Sequence, residues 1–227
     1  MRLFVAALLL FIPGYTLAQL EPAPLAQELE PVQNALTYHT PAYHVRMRHL
    51  LFNRAERGSE FQFLCMPSFR PETLLTVRRT GEGYIAQVLR PEKQIWSFKG
   101  DDKELNVTEK KKRLPSPLAE RTRGLWQTML LRTTFQRRNR VLDGISYVFL
   151  GHVPGYFQLT AESCNPESGT KPKMLASIGG LLIAYVEASP DQEEDIQKRV
   201  AELMDQLDAA IKTNPEGIVR KLAEPQH

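Results

Sequence analysis

The sequence predicts an α+β domain in which an antiparallel β-sheet built from hairpins is packed by about three α-helices. Two observations support this. Short stretches of alternating or β-branched apolar residues are separated by Gly- and Pro-marked turns, and longer stretches carry apolar residues at spacings of three and four. The order adds a third: hairpins, a helix, another hairpin, then two helices, which is not the regular strand–helix alternation of a parallel sheet.

The chain has 227 residues. Met1 to Ala18 carries Arg2, an apolar run from Leu3 to Ile12, a Pro13-Gly14 break and Thr16-Leu17-Ala18, the layout of a secretory signal peptide cleaved after Ala18. The competing reading is a membrane anchor, but the run falls short of the ~20 residues of a spanning helix. No cysteine marks a lipoprotein cut. The longest later apolar patch, Met174 to Val186, contains Gly179, Gly180 and Tyr185. The expectation is an exported protein, periplasmic or secreted, that does not span a membrane after cleavage. Its expected parts are the signal at 1–18, an extended Pro-rich leader at 19–43, one α+β domain at 44–213 and a tail at 214–227.

In the leader, Pro22, Pro24, Pro31 and Pro41 favour extended chain with little burial. His44 to Asn53 alternates at first and is read as a strand ahead of a short helix. Glu60 to Met66 is the clearest early strand, with Phe61, Phe63 and Cys65 on one face and Gln62, Leu64 and Met66 on the other. Leu74 to Arg79 and Tyr84 to Leu89 flank Gly81-Glu82-Gly83 as an antiparallel hairpin. Gln94 to Phe98 reads as a fourth strand with Trp96 as a core anchor. Gly100 to Ser116, rich in charge and proline, reads as an exposed loop.

Ser116-Pro117 opens a helix whose Leu118, Thr122, Leu125, Trp126, Met129 and Thr133 share a face. Gln136 to Arg140 is a basic turn. After the turn signal Asp143-Gly144 come strands Ile145 to Leu150 and Tyr156 to Ala161, a second hairpin. Thr170 and Pro172 start a helix with Met174, Ile178, Leu181, Leu182 and Tyr185 on one side. Gly179-Gly180 inside it is expected to mark close approach to the sheet. Ser189-Pro190 begins a final amphipathic helix, Asp191 to Lys212, whose acidic first turn suits the helix dipole.

The formal net charge of +3 hides segregation. Pro41 to Arg140 carries a surplus of +11, while the flanking segments are all negative. Either an internal match or a basic surface for an acidic partner explains this. The candidate partner-binding residues are Lys110, Lys111, Lys112, Arg113, Arg137, Arg138 and Arg140. Nucleic acid is not an expected partner, since no recognition helix or aromatic-basic motif occurs.

The two cysteines, Cys65 and Cys164, are disulfide candidates in an exported chain. Pairing would close a loop of about 100 residues, worth up to ~4.7 kcal/mol in the chain-entropy model. Two buried free thiols are the alternative. No catalytic residue, metal ligand or cofactor is expected: His39, His44, His49, His152 and His227 lack ligand spacing, and no Gly-x-Ser-x-Gly elbow or phosphate loop is present. In this profile the chain is similar to periplasmic binding or inhibitor proteins, among them immunity proteins that neutralise secreted toxins. The expected function is therefore non-enzymatic protein binding. A hydrolase or envelope-modifying enzyme with a dispersed site, and a small-ligand or lipid carrier, are the alternatives.

Overall fold

The computed structural model of the chain describes residues 29–31, 41–134, 144–155 and 158–213. The signal-like segment, most of the leader, the Gln136–Arg140 turn and the tail from 214 lie outside the described residues.

The fold is α+β, as expected, with four α-helices among the described residues. Strand β2 (Ser59–Pro67) sits near the middle of the sheet. Phe61 and Phe63 point to one side, Leu64 and Met66 to the other, and all four are buried. A strand apolar on both faces must be covered on both faces. Next to β2 run β3 (Thr73–Thr80) and β4 (Gly83–Pro91), the expected hairpin, then β5 (Val107–Leu114) at the edge. On the other side of β2 lie β6 (Ile145–Gly151), β7 (Leu159–Cys164) and the two-residue β1 (Glu30–Pro31). Every pairing is antiparallel.

One face is covered by α2 (Ser116–Leu131), α3 (Lys171–Glu187) and α4 (Pro190–Thr213). The layer beneath them is aromatic. Trp126 lies tilted against Phe61 and meets Phe149 edge-on, and Phe63 lies nearly parallel to Tyr147 at 5.6 Å. The Thr170 hydroxyl caps α3 by accepting from the Lys173 N–H, which satisfies an orphan donor of the first turn. At Gly179 a Cβ would sit 2.6 Å from the Phe63 ring, so close approach explains this glycine. Gly180 faces open space, and the expectation of close approach fails there.

The opposite face is covered by α1 (Pro41–Met47), which runs on into a π-helical stretch, Arg48–Phe52, and by the segment after β4. The strand expected at His44 to Asn53 is therefore helical. Tyr43, Met47, Leu50 and Leu51 are buried at helical spacings, while Val45, which suggested alternation, is exposed. Leu29 is also fully buried, so part of the supposed leader is packed into the fold. Gln94 to Phe98 is not a strand. Ile95 is the residue that turns inward there, and Trp96 is half exposed rather than a core anchor.

The expected loop at Gly100 to Ser116 contains a short 3₁₀ turn, Asp102–Glu104, and strand β5. An edge strand needs little apolar surface of its own, because the open edge of β4 supplies its pairing; its lysines also discourage further strand addition.

The Cys65–Cys164 disulfide is corrected by the register. Cys65 lies opposite Tyr147 on β6, whereas Cys164 lies opposite the preceding residue, Ser146. Cross-strand partners share a face and neighbours along a strand do not, so the two thiols project from opposite faces. They also stand two strands apart, about 10 Å at the usual strand spacing, beyond disulfide reach. Both are free.

Candidate binding surface

The lysine run is divided by the pleat of β5. Lys111 and Arg113 stand on the α1 side of the sheet, and Lys110 and Lys112 on the other. Two cross-strand rows result on the α1 side. Arg78, Ile85 and Arg113 form one, and Thr76, Gln87 and Lys111 the next.

Carboxylates meet most of these cations. Lys111 contacts Glu56 and Glu109, each at 2.7 Å, and Glu56 also pairs with Arg78. The Lys111 ammonium, hydrogen-bonded to Glu109, holds that carboxylate below its ordinary pKa. Lys112 donates to the Ala188 carbonyl at 2.6 Å and to Glu193 at 2.9 Å, with its ammonium over the Tyr185 ring. Arg113 pairs with Glu82 in an exposed contact. Lys110 is exposed. Arg137, Arg138 and Arg140 lie outside the described residues.

The charge segregation is thus partly an internal match. Arg90 pairs with Glu187 at 2.8 Å and Arg121 with Asp205, so α3 and the acidic α4 meet the basic body at several points.

A second surface was not foreseen. The β2–β3 turn carries Phe69 between Pro67 and Pro71, and its side chain is 82% exposed. Beside it, the segment after β4 carries Trp96, 49% exposed. Gln94 ties the two loops together by donating to the Ser68 carbonyl at 2.7 Å and to that of Pro67 at 3.3 Å. Underneath, the fully buried Glu72 carboxylate accepts from the Tyr43 hydroxyl at 2.9 Å, the Ile95 N–H at 2.8 Å and the Trp96 N–H at 3.3 Å. Burial first, and the Glu72 charge second, push the Tyr43 hydroxyl pKa up. The tyrosine therefore remains a proton donor to the carboxylate. Sequence spacing could not reveal this hub, because it joins α1, the start of β3 and the post-β4 segment.

Among the described residues no three His, Cys, Asp or Glu side chains converge as a metal site. His49 instead joins Arg46 on Asp102. The Cys65 thiol is pushed up to about 11, mainly by burial, which leaves little thiolate near neutrality. Cys164 sits 3.2 Å from the Ser146 hydroxyl. A shallow open groove between α3 and α4 is lined by Glu187, Asp191, Asp195 and Arg199. No described helix is long and apolar enough to cross a membrane.

No family model matches the chain, and no curated protein or solved structure matches it. The class that fold and surface define is an α+β protein with an antiparallel sheet covered on both faces.

Proposed function

We propose that this chain is an exported, non-enzymatic protein that binds another protein through its charged sheet surface, in the manner of an inhibitor or immunity protein. The observation that carries the reading is the pair of rows across β3, β4 and β5, which places Arg78, Lys111 and Arg113 on one face around the half-buried Ile85. Arg113 shares only an exposed pair with Glu82, and such pairs hold their partners by about 1 kcal/mol or less. An acidic partner can displace Glu82 at small cost. The tightly packed aromatic layer under α2 to α4 favours this reading over a carrier, which needs an apolar cavity.

The periplasm or the exterior is the proposed location, on the strength of the signal-like Met1 to Ala18. The test is a pull-down from periplasmic extract at low salt, where contacts between exposed charges are least screened. Wild-type chain is expected to retain one stoichiometric partner, and an Arg113→Glu variant, reversed at an exposed cation of that face, to lose it. Retention of no partner by the wild type counts against the reading.

A further inference from the structure

We infer that the Phe69–Trp96 end of the sheet is a peripheral membrane-contact surface that docks onto anionic lipid headgroups. This surface is separate from the β3–β5 rows and does not depend on the protein-binding proposal.

Phe69 and Trp96 are two of the large apolar side chains that stand exposed, and Gln94 joins their loops. Exposed cations flank them: Arg70 follows Phe69, and Lys93 and Lys99 bracket Trp96. The exposed carboxylates of the same two connections are Glu92 and, past Lys99, Asp101 and Glu104; Glu72 is buried and engaged. Aromatic rings with adjoining cations suit the boundary between headgroups and acyl chains, where rings enter the apolar zone and cations meet lipid phosphates.

The shape favours a bilayer over a protein partner. Phe69 protrudes from a turn bounded by Pro67 and Pro71, and a protruding ring needs a matching pocket on a protein but none on a lipid surface. Rigidity supports the same conclusion. Prolines restrict the turn's backbone, and the Glu72 hub fixes the backbone of Ile95 and Trp96, so little ordering accompanies docking.

The test uses the full exported chain and vesicles of phosphatidylcholine, alone or with about one-third phosphatidylglycerol. The chain has two tryptophans. Trp126 is fully buried and donates to the Leu150 carbonyl, so a shift in emission on adding vesicles reports Trp96. The expected result is co-sedimentation with the anionic vesicles, a blue shift, and loss of both at high salt. Phe69→Ser and the pair Arg70→Glu, Lys93→Glu should each weaken vesicle binding roughly tenfold. Because these side chains are exposed, thermal melts should be unchanged. Absence of wild-type binding to anionic vesicles, or binding undiminished by both variants, overturns the proposal. So does saturable binding of a soluble acidic protein at Phe69 without vesicle binding, which would reassign the surface.

Discussion

Gly179 and Gly180 are adjacent in one helix and have opposite reasons to be there. A Cβ at Gly179 would press on the Phe63 ring, which Trp126, Tyr147 and Phe149 hold in place. Gly179→Ala should destabilise the chain by about 1–3 kcal/mol through overpacking. Gly180→Ala meets open space and should stabilise it by up to about 1 kcal/mol, because alanine is the better helix former. Urea midpoints of the two variants check both signs. At Glu72, substitution by Ala strands the Tyr43 hydroxyl and the Ile95 and Trp96 N–H groups. A loss of roughly 3 kcal/mol is expected, with Trp96 emission shifted in the still-folded variant. At Cys65 burial raises the thiol to about 11, and strand register keeps it away from Cys164, so mass spectrometry without reductant should show no Cys65–Cys164 bond. Cys65 should react with alkylating agents far faster after unfolding than before.

At the level of elements, β5 shows how a strand can be concealed in a sequence. Its Thr108 to Arg113 is a polar run that reads as solvated loop, yet the strand pairs with β4 along its whole length. What selects the strand is the open edge of the preceding strand, β4, together with ion pairs such as Lys111 with Glu56 and Glu109. Removing the ammonium by Lys111→Ala should raise the Glu109 pKa toward the ordinary carboxylate value, since the Lys111 hydrogen bond is the first cause of its depression. A carboxyl titration followed by NMR measures this. An unchanged Glu109 would mean that the contact does not persist in solution. The α1 helix illustrates the converse error. Val45 and Met47 mimic alternation, but Tyr43, Met47, Leu50 and Leu51 close one helical face against the sheet.

For the molecule as a whole, the buried acids set its response to alkali. Burial raises the pKa values of Cys65, Tyr43, Tyr147 and Tyr185 in the folded state. The unfolded chain therefore gives up these protons first as pH rises. Their contribution is fully present below the unfolded thiol value, about 8.5, and is lost as pH climbs through it toward the raised folded values. Stability measured by urea unfolding should accordingly fall between pH 8.5 and about 11. A flat profile across that window would contradict the burial of these groups. Charge is organised at the same scale, with acidic α4 and the end of α3 neutralising part of the basic body through Glu193, Asp205 and Glu187.

The sequence by itself determined the fold class, the hairpin of β3 and β4, the two faces of β2 and the helices that became α2, α3 and α4. Each of these rests on local periodicity or a local cap, and such signals are written in consecutive residues. Tertiary structure decided the rest. Strand register put Cys65 and Cys164 on opposite faces, the free edge of β4 recruited β5, and Glu72 gathered three distant segments to hold Trp96 at the surface. Those outcomes depend on which elements become neighbours in space, and spacing along the chain carries no record of that.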